Sequence, residues 1–400
     1  MHFEDDDVIK SYKVYLQTKG FSSPQSSPTR ENDKSVVGLT KSLEKKSSYL
    51  NAFLRKNNHR LECCANEFRK FAYTPGGLIS DQNRELIWPV LAANLDDGRT
   101  ETQNCMRDHV SCSDTFDQEE DFSSLRQHKD WHQVELDVRR GLNCMSSGET
   151  DTKALLTFTA FIVKILVPNK NFNYYQGFHS VCIMIILTVG FPKAFYICRK
   201  LSTKGMFCSI LLKSFEESTI KDLKLMFPLI KKESGKIDKV FKNTSMGCLF
   251  ALPWPITWFS HSLHYYQDMV VCFDFLLASH PLMPIYLCAT LVISREEEIV
   301  ECEQDMAALH GLLNKIPPNL LIPPLIQSAQ RLFYHYPPAI LKGKLSKDYY
   351  KQKKSNPFKI TKINIALKLL RTIIYGFSKF ISSYLLSIKN DYIIYKEKKD

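Results

Sequence analysis

Two side chains in the stretch from Trp131 to Val189 have the type and setting for electrostatic chemistry. Arg140 closes the run Val-Glu-Leu-Asp-Val-Arg-Arg, and Gln176 sits inside Tyr174-Tyr175-Gln176-Gly177. Each adjoins an apolar run at helical spacing, 154–167 for one and 181–189 for the other. A charged guanidinium and an amide presented from helices suit an electrostatic mechanism. An Arg that ends a helical pattern is by itself the common surface ion-pair partner. The two motifs together, in this order, are what mark the stretch. Asp137 lies one helical turn before Arg140, where it can orient that side chain or form a plain surface pair.

The elements that must position these groups read as helices. Leu50, Phe53, Leu54, Leu61 and Phe68 place a helical pattern over 43–71, and Thr74-Pro75-Gly76-Gly77-Leu78 is a turn. Ser80 or Asp81 caps a helix over 82–91 that carries Arg84 and Trp88. Trp88 reads as core, and Arg84 as core or contact surface. Residues 94–127 are acidic and rich in Ser and Thr, and read as a long mobile loop. The helix bearing Asp137 and Arg140 follows, with Gly141 and Gly148 bracketing its exit. A turn at 168–171 then delivers residues 174–177. Helical periodicity continues to Leu332, in segments such as 195–201, 220–230, 268–278 and 285–293, with a break expected at Pro253 and Pro255. Strand-like alternation is scarce, so the fold class is all-α. His179 and His261 have no Ser or Cys nucleophile motif beside them and read as structural.

Composition and charge narrow the function classes. The net charge is +11, but 15 of the 53 Lys and Arg and only 4 of the 42 Asp and Glu lie in 341–400, so residues 1–340 are balanced. A neutral body argues against a nucleic-acid-binding core and leaves an anionic partner for the tail alone. The 12 cysteines form no Cys-x-x-Cys pair and are scattered among apolar runs, which reads as reduced, buried thiols. The acidic N-terminus lacks a secretory signal, and residues 1–42 are expected to be disordered. A Walker-type phosphate loop is missing, so the chain is expected to bind no nucleotide unaided.

A basic linker is expected over 339–357, then a helix over 358–390. On a helical wheel Asn364, Lys368, Arg371, Lys379, Ser382 and Lys389 share an arc of about 80°, facing Leu369, Leu370, Ile373, Ile374, Phe377, Phe380, Ile381 and Leu385. Tyr375 and Leu386 depart from the pattern. A cationic stripe opposite an apolar face fits a helix lying in the plane of an anionic membrane. Arg371 and Lys379 interrupt any clean transmembrane span.

The order Thr74–Leu78, Arg84, Trp88-Pro89, then Asp137-Val138-Arg139-Arg140, then Tyr174-Tyr175-Gln176-Gly177 resembles the three-motif signature of the TBC domain. The resemblance extends through 250–259, 280–286 and 305–317, where it is most like an endoplasmic-reticulum-anchored branch of the family. It implies a multi-helix Rab-GAP domain over 43–338, with 94–127 as an insertion. It also implies a GTPase-activating protein for Rab GTPases in their GTP form, on the cytosolic face of endomembranes in the early secretory pathway. By position Arg140 matches an arginine finger and Gln176 a glutamine finger. Asp137, Tyr174 and Gly177 match supporting positions, and Arg84 and Trp88 match the first motif, which shapes the scaffold and contact surface.

In that reading the Rab carries Mg²⁺ and GTP, and no cofactor or metal belongs to this chain. The alternative is a Rab-binding effector or adaptor that keeps the fold without the catalysis. Some positions depart from the family pattern. Gly141-Leu142-Asn143 stands where an aromatic-Pro turn is usual, and Ser180 where Asp is frequent. Both bear on how Arg140 is presented.

Overall fold

In the computed structural model, residues 34–95, 116–117, 121–143 and 152–354 are described. Among them the secondary structure is helix and turn, with no strand. The chain divides into two units, 1–346 and 347–400. The described part of the second is the helical run that ends at Lys354. No helix of the described residues is long and apolar enough to cross a membrane.

The described part of the first unit opens with α1 (Lys34–Asn57), α2 (Ala65–Ala72) and α3 (Asp81–Ala93). Then come α4 (Trp131–Asn143), α5 (Thr152–Leu166), α6 (Phe178–Val189), α7 (Phe191–Thr203) and α8 (Gly205–Leu212). The second half contains α9 (Met226–Glu233), α10 (Gly235–Asn243), α11 (Tyr266–Leu277), α12 (Met283–Ile293) and α13 (Ile322–His335). From Val181 to Val189 α6 is buried all round, and so is α12 up to Val292. Each is apolar on every face and needs neighbours on every side. Around α6 pack α3, α4, α5 and α7; around α12 pack α9 and α13. The N-terminus of α3 is capped by Ser80, whose hydroxyl accepts from the Asn83 amide.

One buried acid joins the two halves. Asp274 of α11 is fully buried, and its carboxylate accepts from Arg84 Nε at 3.0 Å, Arg84 Nη2 at 2.9 Å, Trp88 Nε1 at 2.7 Å and the Leu78 amide at 2.9 Å. Arg84 Nη1 reaches Asp81 at 3.0 Å, and Asp81 also accepts the Tyr266 hydroxyl at 3.0 Å. Burial alone would lower the Arg84 pKa; the charge and hydrogen bonds of Asp274, then Asp81, outweigh it and hold the pKa above its ordinary value. The approach requires glycine at 77: φ is +53°, and a Cβ there would lie 2.3 Å from Asp274 Oδ2.

The turn before α3 is held from the other side by Lys46 of α1. Its ammonium donates to the carbonyls of Phe71, Thr74 and Pro75 at 2.9, 3.2 and 2.9 Å. Burial pulls the Lys46 pKa down to about 8; the charge of Asp274 opposes this and that of Arg84 adds to it.

Several expected boundaries move. α1 starts at Lys34, ahead of the expected start at 43, so the part of the 1–42 segment that is described is helical. The pattern over 43–71 is broken by a 3₁₀ turn at Asn58–Cys64, where Arg60 leaves helical geometry. The run 220–230 splits into Thr219–Leu223 and α9. The expected break at Pro253 and Pro255 is present, with only a four-residue helix at Pro253–Ile256. The 339–357 stretch continues helically where described, through Leu341–Leu345 and Ser346–Lys354. Leu341, at the start of that stretch, is fully buried.

The end of the 94–127 insertion is not loose. Phe116 and Phe122 are buried, stack at 5.6 Å, and Phe116 joins Phe161, Phe191 and Phe195. Two large aromatic rings are enough to anchor this end of a polar stretch, and the average composition conceals them. Residues 1–33, 96–115, 118–120 and the 358–390 segment lie outside the described residues.

Asp274→Ala should remove the counter-charge from a buried guanidinium and leave the Trp88 and Leu78 N–H groups unpaired. A loss of about 3–5 kcal/mol in folding stability is expected, read from urea denaturation midpoints.

Candidate functional site

The site is built where α4 meets the loop before α6. Asp137 lies on the buried face of α4 with 1% of its side chain exposed, whereas Arg140, one turn later, is 44% exposed. Arg140 Nη1 donates to Asp137 Oδ1 at 2.8 Å. The same oxygen accepts from Gln133 Nε2 at 3.2 Å, one turn earlier. Asp137 Oδ2 accepts the Tyr174 hydroxyl at 3.0 Å. One carboxylate therefore holds the guanidinium with one oxygen and the 174–177 loop with the other. The plain surface pair, left open on spacing, is excluded by burial.

The network extends to α6. The Tyr174 oxygen lies 2.8 Å from His179 Nδ1, and His179 Nε2 lies 3.3 Å from Ser180 Oγ. Tyr174 spends its one proton on Asp137, so His179 must donate from Nδ1 and accept from Ser180 at Nε2. That tautomer is neutral. Burial first, then the charges of His261 and Arg140, pull the His179 pKa down to about 3. Burial raises the Asp137 pKa against the opposing pull of Tyr174, Gln133 and Arg140, and burial together with Asp137 drives that of Tyr174 well up.

The loop is fixed at its other points as well. Lys129 Nζ donates to Asn173 Oδ1 at 2.9 Å, and the Tyr174 amide donates to Asp130 at 3.1 Å. Tyr175 is buried and its hydroxyl donates to the Ile256 carbonyl at 2.9 Å. Gly177 has φ +121°, and a Cβ there would meet the Thr257 methyl at 3.1 Å, so glycine is required on two counts. Gln176 stands between these two anchored residues and is partly exposed. The C-terminal end of α4 packs directly on α6. A Cβ on Gly141 would lie 3.7 Å from Ile183 and 4.0 Å from His179, so the Gly-Leu-Asn sequence continues the helix without crowding.

The structure thus brings Arg140, Asp137, Tyr174 and the loop carrying Gln176 and Gly177 together. It places Arg84 and Trp88 elsewhere, joined to each other through Asp274 and fully buried. Neither presents a contact surface. Sequence reasoning missed Gln133, Asp130 and Asp274; His179, read as structural, is structural and hydrogen-bonds to Tyr174 and Ser180. A lone acid in the apolar run Val-Val-Cys-Phe-Asp-Phe-Leu-Leu was a usable signal for Asp274, because a buried carboxylate needs partners.

Acid should weaken the fold through His179. The unfolded chain takes up a proton below about 6.5 and the folded chain only near 3, so stability is lost as pH falls through that window. Between pH 7.5 and 5.5 this group contributes a loss of about 1.4 kcal/mol. His179→Asn should lose correspondingly less over the same interval in denaturation curves; an unchanged pH dependence contradicts the assignment.

The Rab-GTPase-TBC domain profile matches residues 81–300, which contain every group just described from Asp130 to Thr257. TBC1 domain family member 20 of Mus musculus is 34% identical over 281 residues, covering 68% of this chain and 64% of the relative. The chain therefore spans somewhat less than two thirds of that relative's length. GTPase-activating protein gyp10 of Schizosaccharomyces pombe is 32% identical over 160 residues, or 39% of this chain and 42% of that one. The crystal structure of the Ypt/Rab-GAP domain of Gyp1p superposes with a TM-score of 0.54 at 13% identity, covering 73% of this chain and 98% of the other, which establishes the shared helical fold. With more than half of its residues matched to one domain profile, this chain belongs to the Rab-GTPase-TBC domain family.

Proposed function

We propose that this chain is a GTPase-activating protein for Rab-family GTPases, and that Arg140 and Gln176 are the side chains it lends to the partner's active site. The reading is carried by one observation. The Arg140–Asp137–Tyr174 chain of hydrogen bonds fixes a half-exposed cation beside the loop that bears Gln176. Family membership and the similarity to the GTPase-activating protein gyp10 of Schizosaccharomyces pombe support it.

The chemistry follows from charge. The Rab holds GTP and Mg²⁺, so this chain contributes no nucleotide site and no metal of its own. As the γ-phosphoryl group transfers to water, negative charge spreads over its oxygens and toward the leaving phosphate. A guanidinium inserted in trans neutralises that charge; its planar fork contacts two oxygens and keeps its proton at any physiological pH. Asp137 takes one Nη and so fixes the direction of the fork. Gln176 can donate to a phosphoryl oxygen while accepting from the attacking water. Asp137, Tyr174 and Gly177 are positioning residues, and Arg84 and Trp88 act through the fold.

Arg140→Ala should lower stimulated single-turnover GTP hydrolysis by about 10³-fold or more, measured against a Rab panel with the variant's fold checked by circular dichroism. Near-wild-type turnover would overturn the mechanism. A complex with Rab·GDP that requires aluminium fluoride supports catalysis; equal binding to Rab·GTP without it favours an adaptor.

A second part of the proposal concerns place. The 358–390 segment, with its cationic arc and apolar face, would hold the protein on an anionic membrane and raise its concentration near membrane-bound Rab. The place proposed is the cytosolic face of the endoplasmic reticulum, as the family resemblance of the sequence implies. Removing residues 358–400 should abolish cosedimentation with vesicles containing phosphatidylserine; unchanged sedimentation would remove the anchor.

A further inference from the structure

Behind the Gln176 loop the backbone adopts an unfavourable conformation. Trp258 and Phe259 have φ of +46° and +67°. Both are bulky non-glycine residues, and two in succession in the left-handed region are costly unless surrounding contacts impose them. Those contacts are present. The Phe259 amide donates to the Trp254 carbonyl at 2.7 Å, and the Trp258 amide to that of Pro255 at 3.3 Å. The Trp258 ring packs on Phe207 and Phe273, and Phe259 stacks on Trp254.

The turn changes which carbonyl is available. In a helix continuing past Ile256, the Ser260 amide would donate to the Ile256 carbonyl, four residues back. Here it donates to the Thr257 carbonyl at 3.0 Å. The Ile256 carbonyl instead receives the Tyr175 hydroxyl at 2.9 Å, 81 residues away in sequence. The next residue, Thr257, places its methyl against Gly177. Its hydroxyl donates to the Pro253 carbonyl at 2.8 Å, which fixes where that methyl points. The two residues flanking Gln176 are therefore both braced by the two residues that precede the strained pair.

We infer that the 256–259 turn is the brace that positions Gln176, and that Tyr175 is the positioning residue through which it acts. This rests on the functional reading above. It gives the strained turn a purpose: the left-handed pair turns the chain just past the end of the Pro253–Ile256 helix, which leaves one main-chain acceptor and one methyl group to hold the Gln176 loop. Tyr175 touches neither nucleotide nor water in this scheme. Its hydroxyl restrains the backbone from which the Gln176 amide must reach.

The test uses the full chain and whichever Rab of a panel the wild type stimulates best. Tyr175→Phe removes one hydroxyl and keeps the ring packed on Phe178 and Phe215. It should lower kcat about tenfold, with KM for Rab·GTP changed by less than about twofold. In a Gln176→Ala background the same substitution should cause no further loss, because the side chain it positions is gone. A purely structural Tyr175 would lose equally in both backgrounds, and that outcome overturns the inference. So does an unaffected kcat in Tyr175→Phe, or a loss confined to KM. If the wild-type chain stimulates no Rab in the panel, the functional reading fails and this inference with it. Wild-type stimulation with additive variants sinks the inference alone.

Discussion

The carboxylate of Asp137 is the constraint on which the site depends. It is buried, so each of its oxygens must be satisfied by protein, and burial already raises its pKa. The partners that satisfy it come from its own helix and from a segment 37 residues away. Satisfying the charge and assembling the site are therefore one event. Without Tyr174 the acid loses one donor, and without the acid the guanidinium of Arg140 loses the 2.8 Å bond that orients it. Neutral His179 completes the arrangement by directing the Tyr174 proton toward Asp137.

The same device occurs again in the scaffold. Asp274, also buried, gathers Arg84, Trp88 and the Leu78 amide from around the start of α3. Buried charges of this kind contribute little net stability compared with apolar residues of equal size, but they are intolerant of losing a partner. They fix register. A helix that slides by a residue strands a charge, whereas a greasy interface would merely repack. Two such acids, one against the start of α3 and one at the site, give a largely apolar bundle a specified geometry.

The sequence carried more of the site than of its supports. Arg140 and Gln176 were singled out because each adjoins an apolar helical run and the two motifs occur together in order, and the structure places the Arg140 helix beside the Gln176 loop. The helices themselves followed from periodicity, and Ser80 was correctly weighed as the cap of α3. What stayed hidden was long-range. Nothing local indicates that Tyr175 meets Ile256, or that Asp274 answers Arg84 across 190 residues. Boundaries also escaped where a few side chains outweigh composition. Phe116 and Phe122 secure the end of an acidic stretch, and Leu341 buries itself at the start of a lysine-rich one. Averages over a window give such anchors too little weight. The left-handed pair at 258 and 259 was invisible in principle, since neither Trp nor Phe advertises that conformation; only the Pro253 and Pro255 break hinted that the helix would stop nearby.

The Lys46 contact sets where this protein can be cut. The segment common to the family begins at 81, yet α1 and the turn after α2 supply contacts on which that segment relies. Lys46 seals the carbonyls of Phe71, Thr74 and Pro75, while the Tyr73 hydroxyl donates to the Ala278 carbonyl and the Tyr73 carbonyl accepts from Gln330. A fragment trimmed to the shared borders would uncover the apolar sides of α3 and α11 and take the Leu78 amide from Asp274. The smallest piece that keeps these contacts starts no later than α1 and extends through α13, so the foldable unit is wider on both flanks than the segment by which the family is recognised.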